Sequence, residues 1–436
     1  LNPNVSWYEV DDYDDNFYSS NYSSDLESSI EKNKLNIRSK LSPRLAISHP
    51  ITENSKLYFN YGHYQQMPIA QDLYRIRRKS SNELQTIGDP DIPTPKFVLD
   101  SMKKHSDNPA NHRYPESEGL PEFRNEVSEY MSRRFGVNLD PEKQVINLIG
   151  AKEGIGHASL CLIDEGDVSI VPDPGYPVYS AGCNFAGGEI YKMPLLQSRG
   201  WRPDLNNIPL DIRNRAKILW LNYPNNPTGG VADLDFFQEV VNFGIENDIA
   251  IMHDACYSDV TFDGYKAPSI LEAKNSMEIA MEFHSFSKIF NMTGWRLGFA
   301  VGNEQLVQSL LTVKSNLDSG TPQAIQMMGI DALKNIEEFT KENNSIYQAR
   351  RDKLSKALEE IGLTVEFPKA ALYLWCRVPE GYNSASFTEL LLEQCNVVVT
   401  PGTGYGEYGE GYVRLSLTTP DELVDEGVKR ISSWKG

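Results

Sequence analysis

The chain has 436 residues, 40% hydrophobic and 23% charged, a composition typical of a globular protein with a large core. Its formal net charge of −18 argues against nucleic acid as a partner, and its apolar runs are too short for a transmembrane helix. Five cysteines without CxxC spacing predict reduced thiols in a cytosol-like, cytoplasmic compartment. Seven histidines without paired spacing make a metal site unexpected.

The first 65 residues predict an acidic N-terminal extension. Residues 1–31 carry eight acidic side chains and neither Lys nor Arg, a pattern typical of neither a secretory signal nor a transit peptide. Two interpretations stay open. The segment is a solvated tail, or it is an arm that packs on its own or a partner subunit through four aromatic side chains, Trp7, Tyr8, Phe17 and Tyr18.

The following segments predict a large α/β domain. A helix is predicted over Met67–Lys79, a proline-rich loop over 88–95, and further helices over 95–105 and 120–135. Short apolar runs then alternate with helical patterns, and the predicted strands cover 144–149, 168–171, 189–193, 216–221, 249–253, 279–283 and 298–301. Buried strands alternating with helices are typical of a three-layer α/β/α domain with a mostly parallel sheet.

The last third of the chain predicts a smaller α/β domain. A long helix near 303–316 is expected to leave the large domain. Four strands are predicted after it, near 363–367, 371–378, 396–399 and 411–417.

The most informative motif is Ser285-Phe286-Ser287-Lys288, with Arg296 eight residues after the lysine. The lysine amine can form a Schiff base, while hydroxyls and a fixed cation can hold a phosphate. Pyridoxal 5'-phosphate (PLP) needs these groups together. The motif resembles the cofactor-lysine segment of fold-type I PLP enzymes, the class I and II aminotransferases.

That resemblance implies an aspartate aminotransferase-like fold with a large PLP domain and a small domain built from both chain ends. The implied boundaries are 1–65 for the extension, 66–94 for the N-terminal part of the small domain, 95–315 for the large domain and 316–436 for the C-terminal part of the small domain.

Asp254 follows the strand predicted over 249–253, where α/β proteins commonly bind ligands. A carboxylate at this point would keep the pyridine nitrogen of PLP protonated, which makes the ring an electron sink. The alternative interpretation is a helix cap. The resemblance implies that Tyr257 donates to the phenolic oxygen of PLP and assists Lys288 in catalysis.

The run Asn222–Gly229 reads NYPNNPTG, which indicates a turn by composition. It also resembles the NxPxNPTG motif of aminotransferases. In that family the residue matching Asn226 bonds the phenolic oxygen of PLP, and the one matching Asn222 lies near the substrate carboxylate.

A phosphate-binding turn is predicted at Gly150-Ala151-Lys152, because free amides at a helix N-terminus bind phosphate. The resemblance implies that the amides of Ala151 and Lys152 contact the phosphate, and that Ser285, Ser287 and Arg296 complete the cup. It also implies that Tyr176 stacks on the PLP ring. Tyr114 matches a tyrosine that reaches the phosphate of the other subunit, which implies a homodimer with shared active sites.

Several residues are candidates for contacting the substrate. Arg414 matches the arginine that clamps the α-carboxylate through a bidentate pair. Lys152 is a candidate for recognising a distal polar group, and Asn316 matches a residue that reaches the partner's substrate. Thr86 stands where the family has glycine, which adds bulk and a hydroxyl near the substrate.

The motifs are closest to those of LL-diaminopimelate aminotransferase-like enzymes, so transamination of an amino acid with a polar or charged side chain is the expected activity. A PLP enzyme that eliminates or cyclises, for example on a hydroxylated arginine, is the alternative, because both reactions use the same lysine and electron sink. A PLP-binding regulator would need a basic DNA-binding head, and residues 1–65 are acidic.

Overall fold

The computed structural model describes residues 88–434 in full and, before them, the backbone of four short strands. It divides into two compact units, Leu1–Met67 and Pro68–Gly436. In the first unit, β1 (Arg44–Thr52) and β2 (Ser55–Gly62) form an antiparallel hairpin. The four aromatic residues of the proposed arm lie outside the described residues, so both interpretations of the extension stay open.

The first described elements of the second unit are an antiparallel pair, β3 (Ile76–Arg78) and β4 (Leu84–Thr86). The helix predicted over 67–79 is therefore wrong at 76–78, and the rest of that segment lies outside the described residues. Three apolar residues at helical spacing are a weak signal, and pairing with a neighbouring strand overrides it. Two predicted helices follow within one residue of their expected bounds, α1 (Lys96–Ser106) and α2 (Pro121–Phe135).

The central sheet has seven strands, and all seven were predicted. They are β5 (Val145–Leu148), β6 (Val168–Asp173), β7 (Glu189–Pro194), β8 (Ala216–Asn222), β9 (Ala250–Asp254), β10 (Ala280–Ser285) and β11 (Gly298–Gly302). Their order is β5-β11-β10-β9-β8-β6-β7, and β11 alone runs in the opposite direction to the other six. The predicted mostly parallel sheet is confirmed.

Helices cover both faces of this sheet. They are α3 (Ala151–Leu162), α4 (Val178–Ala186), α5 (Leu210–Arg215), α6 (Leu234–Asn247), α7 (Phe286–Ile289), α8 (Glu304–Leu317) and α9 (Gln323–Lys334). Alternate strand residues enter two apolar cores, Trp220 and Phe283 with α3 and α4 on one face, and Leu221 and Phe299 with α2 and α6 on the other. The three-layer α/β/α arrangement follows from this two-sided burial.

A smaller α/β region completes the fold. Its four strands are antiparallel in the order β12-β13-β15-β14, with β12 (Thr364–Val365), β13 (Tyr373–Arg377), β14 (Thr400–Pro401) and β15 (Tyr412–Ser416). Its helices are α10 (Ile336–Glu360), α11 (Ser384–Cys395) and α12 (Asp421–Ser432).

One strand predicted in this region, over 396–399, is wrong. Asn396 is the left-handed cap of α11, and the Val397 amide closes the helix by donating to the Leu391 carbonyl. The apolar run therefore enters the core, where Val399 is buried, and strand pairing begins only at Thr400.

Two global features complete the description. Among the described residues, no helix is both long and apolar enough to cross a membrane. All five cysteines fall within the described part of the chain, and none forms a disulfide.

A fully buried carboxylate, Glu282, links β9, β10 and the segment at 269–270. Ring nitrogens of His253 and His284 lie 2.8 and 2.7 Å from its two oxygens, and Ser269 and the Ile270 amide also donate to it. Burial opposes ionisation of Glu282, but the hydrogen bonds from the two imidazoles outweigh it and hold the pKa of this carboxyl far below its usual range.

Replacing Glu282 by Gln should destabilise the protein by about 3 kcal/mol near neutral pH, because the carboxylate holding both imidazoles is lost. The pKa of Glu282 is lowered in the folded state, so its stabilisation is present above the ordinary value of 4.5 and fades as pH falls below it. Thermal unfolding should therefore show a difference in melting temperature between wild type and variant that is smaller at acidic pH than at neutral pH. Glu246→Gln, on the exposed face of α6, is the control. A difference in melting temperature that does not depend on pH would contradict this account.

Candidate active site

Three neighbouring strands deliver predicted site residues to one edge of the sheet. Asn222, Asp254 and Ser285 are the last residues of β8, β9 and β10, which pair in parallel. The carboxyl ends of such strands form the crevice in which open α/β sheets bind ligands.

Lys288 projects from α7, the short helix that starts directly after β10. The Ser285 hydroxyl accepts the Ser287 amide at 3.2 Å and so caps this helix. The Lys288 ammonium donates to the Gly88 carbonyl at 3.1 Å, and the side chain is half-buried. The amine is thus held between the end of the sheet and the loop at residue 88.

Asp254 is buried and oriented by hydrogen bonds. One carboxylate oxygen accepts from the Tyr179 hydroxyl at 2.7 Å and the other from the Cys256 amide at 3.2 Å. The Tyr179 ring stacks on Trp220 with centroids 4.8 Å apart. Burial, reinforced by the neighbouring Asp254, raises the pKa of Tyr179 well above its usual range, so this phenol remains a donor.

The role of Tyr179 was missed in the sequence, where only Tyr176 was singled out. The Tyr176 ring meets that of Tyr179 edge-on, with centroids 5.8 Å apart.

The predicted phosphate turn has the geometry of an anion cup. Gly150 has φ +74° and no side chain caps α3, whose first residues are Ala151 and Lys152. A Cβ on Gly150 would lie 2.4 Å from Nη2 of Arg296, so the guanidinium packs directly against this glycine. Helix amides and a fixed cation converge here, as phosphate binding requires.

The end of β10 adjoins the same turn. A Cβ on Gly298, the partner of Ser285 in β11, would lie 2.7 Å from the Ala151 amide and 2.8 Å from the His284 carbonyl. Ser285 and Ser287 are both buried at this edge. The structure therefore brings the two hydroxyls to the strand end that borders the cup.

A buried lysine stabilises the turn that forms the cup, and sequence reasoning missed it. Lys314 is fully buried and lies 3.2 Å from Glu153 and 2.8 Å from Asp318. The oxygen of Glu153 that faces Lys314 also accepts the Ile149 amide at 2.9 Å. The ion cluster thus fixes the turn before α3 to the end of α8, which carries Asn316. No local pattern marks such a pair, because Glu153 and Lys314 are distant in sequence.

Asn222 and Asn226 connect the sheet edge to Arg414 on β15. The Asn222 amide donates to the Asp254 carbonyl at 2.8 Å, and its oxygen accepts the Asn226 amide at 2.7 Å. The Asn226 side chain in turn accepts from Arg414 at 2.9 Å. The NYPNNPTG run therefore forms a continuous polar link between the two sheets.

Arg414 is a buried cation without a carboxylate partner among the residues described. It is 5% exposed, and its Nε is buried and makes no hydrogen bond. The guanidinium lies over the rings of Tyr373 and Tyr405, 4.0 and 4.7 Å from their centroids. A buried charge is costly unless it is paired, so this arrangement favours an anionic ligand.

Tyr257 meets a second tyrosine that sequence reasoning missed. Its hydroxyl lies 3.0 Å from that of Tyr373, and both side chains are buried. Burial and the neighbouring phenol raise the pKa of Tyr257 well above its usual range. Burial acts the same way on Tyr373, but Arg414 and Lys288 together lower its pKa. Either hydroxyl of this pair can donate to the other.

Among the described residues, three predicted site side chains are not joined to this cluster. Lys152 and Asn316 are exposed, the latter with its amide donating to the Thr312 carbonyl at 2.8 Å. The Tyr114 ring is 88% exposed. The side chain of Thr86 lies outside the described residues, although its backbone belongs to β4.

Comparison with known proteins identifies the family. The model of the family "Aminotransferase class I and II" matches residues 84–431. The chain therefore belongs to the class I and II aminotransferases, and it is a PLP-dependent aminotransferase of fold type I.

Its relatives include enzymes named LL-diaminopimelate aminotransferase. The protein of Dehalococcoides mccartyi strain 195 is 51% identical over 382 residues, covering 87% of this chain and 98% of its own. That of Moorella thermoacetica is 52% identical over 79% of this chain and 88% of its own.

Solved structures agree in fold. The substrate-bound BacF structure from Bacillus subtilis has a TM-score of 0.77 at 37% identity over 79% of this chain and 88% of that one. A probable N-succinyldiaminopimelate aminotransferase from Thermus thermophilus has a TM-score of 0.75 at 35% identity, over 79% of this chain and 93% of that one. The relatives whose names state an activity are aminotransferases, and they give no support to the alternative of an eliminating or cyclising enzyme.

The residues present fit PLP. The cup beside Gly150 leaves no room for a Cβ, and Arg296 lies where a phosphate needs a cation. Asp254 is held in place by Tyr179, and the Lys288 amine faces the same crevice from α7.

Replacing Gly150 by Ala should weaken PLP binding by at least about tenfold, because the new methyl group displaces Arg296 from the cup and strains a positive φ. The measurement is titration of the apoenzyme with PLP.

Gly136→Ala is the matched control. Gly136 also has a positive φ, +70°, but a Cβ there meets nothing within 4 Å. It places an alanine at a positive φ away from the site and should leave PLP affinity unchanged. Equal PLP affinity in the two variants would show that the contact with Arg296 does not matter for binding.

Proposed function

We propose that this protein transfers the amino group of LL-diaminopimelate to a keto acid. The support is the 51% identity to an enzyme of that name over nearly its whole length, together with a buried Arg414 that lacks a carboxylate partner in the described part of the chain. The unpaired arginine is the observation that carries the proposal, because it specifies an anionic group on the substrate.

The named residues have different roles in the reaction. Arg414 and Asn222 bind the α-carboxylate and so orient the substrate Cα–H bond. Lys288, positioned by the Gly88 carbonyl, takes the proton from Cα as general base. PLP, when bound, supplies the electron sink for that step. The carboxylate of Asp254, fixed by Tyr179, would hold the ring nitrogen of PLP in its protonated form.

The remaining predicted residues hold the cofactor or the far end of the substrate. Tyr257 and Asn226 bind the phenolic oxygen, and Tyr176 lies against the ring. Ala151, Ser285, Ser287 and Arg296 hold the phosphate, with the Lys152 amide. The Lys152 side chain, Thr86 and Asn316 are assigned to the distal polar end.

We also propose a homodimer with shared active sites in the cytoplasm. Tyr114 and Asn316 are assigned to the partner's site, and their exposure in a single chain supports that role. The five unpaired cysteines support a reducing compartment. The domain boundaries at residues 65, 94 and 315 belong to the same proposal.

The direct test is a single-turnover reaction of the PLP-loaded enzyme with LL-diaminopimelate, followed by absorbance and mass spectrometry. The bound cofactor should convert to its amine form as a keto acid appears. Lys288→Ala should lose the visible band of the lysine-bound cofactor and all turnover. A product lighter by water, with the cofactor unchanged, would contradict transamination and restore the eliminating alternative.

Arg414→Lys tests the carboxylate assignment. Lysine keeps the charge but cannot make a bidentate pair, so KM for the amino donor should rise on the order of ten- to a hundredfold with a smaller change in kcat. Arg430→Lys, on exposed α12, should leave both parameters unchanged. An unaltered KM in Arg414→Lys would place the substrate carboxylate elsewhere.

A further inference from the structure

Tyr373 occupies the junction between the two sheets at the site. The segment after Tyr257 joins the chain before β13 through an isolated bridge between Thr261 and Ala370. The Ala371 amide also donates to the Val260 carbonyl at 2.9 Å. Tyr373 follows directly as the first residue of β13, so its backbone position is tied to the loop that carries Tyr257.

The ring of Tyr373 supports the guanidinium of Arg414. Trp375 and Arg414 are paired on β13 and β15, which makes Tyr373 a diagonal neighbour on the same face. The Arg414 guanidinium carbon lies 4.0 Å from the Tyr373 ring centroid, and the Tyr405 ring contacts it at 4.7 Å. The cation is held between two aromatic rings, a favourable contact when water is excluded.

The hydroxyl of Tyr373 faces the crevice. It lies 3.0 Å from the Tyr257 hydroxyl, and a Cβ on Gly88 would approach it to 3.3 Å and Nη2 of Arg414 to 3.5 Å. The titratable groups that act on it are Arg414, Lys288, Tyr257 and Cys256. A hydroxyl has one proton to donate, so when Tyr257 donates to a ligand, Tyr373 is the group placed to donate to Tyr257.

We propose that Tyr373 is a positioning residue that serves both halves of the site. Its hydroxyl orients the Tyr257 hydroxyl toward the phenolic oxygen of PLP, and its ring holds Arg414 for the substrate carboxylate. This inference rests on the proposed roles of Tyr257 and Arg414. It adds one side chain that couples cofactor binding to substrate binding.

Two variants separate the two roles. Tyr373→Phe keeps the ring and removes the hydroxyl, while Tyr373→Leu removes both. The first readout is the midpoint pH at which the visible band of the lysine-bound cofactor titrates. A weaker hydrogen bond from Tyr257 stabilises the anionic phenolic oxygen less, so the midpoint should rise by about half a pH unit in both variants.

The second readout is the dissociation constant of glutarate, an unreactive dicarboxylate, measured by its perturbation of the same band. Tyr373→Phe should change it by less than about twofold, and Tyr373→Leu should raise it about tenfold because Arg414 loses its stacking partner. Tyr382→Phe, at a 40% exposed tyrosine, is the control for both readouts.

A double variant distinguishes a specific effect of the Tyr373 hydroxyl from general damage to the fold. In a Tyr257→Phe background, Tyr373→Phe should add no further shift of the midpoint, since its hydroxyl acts through Tyr257. An unshifted midpoint in Tyr373→Phe, or an equal shift in the Tyr257→Phe background, would overturn the hydroxyl role. Unchanged glutarate affinity in Tyr373→Leu would overturn the ring role. Failure of the proposed function itself would appear differently, as a wild-type protein without the visible band or without transamination.

Discussion

The active site depends on the parallel pairing of β8, β9 and β10. Parallel strands end at the same edge of a sheet, and here that edge collects Asn222, Asp254 and Ser285 from separate parts of the sequence. The pairing is held by two-sided burial, with apolar cores above and below the sheet. It is also held by Glu282 on β10, whose contact with His253 joins this strand to β9. Because the apolar cores hold the strands in place, the polar side chains at the strand ends have little freedom to move.

The buried charges of the molecule fall into two kinds. Glu282 and Lys314 are satisfied within the chain, the first by hydrogen bonds with two histidines and the second by two carboxylates. Arg414 is stabilised by aromatic faces and one amide oxygen but lacks an anion in the described part of the chain. A buried charge without a partner is costly, so it favours the binding of an oppositely charged ligand. This difference separates Glu282 and Lys314 from Arg414, which is proposed to bind the substrate.

The site also joins two sheets that share no strand. The NYPNNPTG run reaches from β8 to Arg414 on β15, and the loop of Tyr257 reaches to Tyr373 on β13. The residues proposed to bind the cofactor and those proposed to bind the substrate are therefore linked by hydrogen bonds across the junction. A change in the relative position of the sheets would alter both sets of contacts together.

The sequence by itself determined the family, the seven strands of the central sheet and the residues of its motifs, because periodic apolar runs and contiguous motifs are local signals. Predictions from local signals were wrong at 76–78, where strand pairing decided the structure, and at 396–399, where helix capping decided it. Tyr179, Lys314 and Tyr373 were visible only in the tertiary structure. Each acts through a partner far along the chain, on Asp254, Glu153 and Tyr257 respectively. Such contacts depend on how strands and helices are brought together in space, and no spacing within one segment records them.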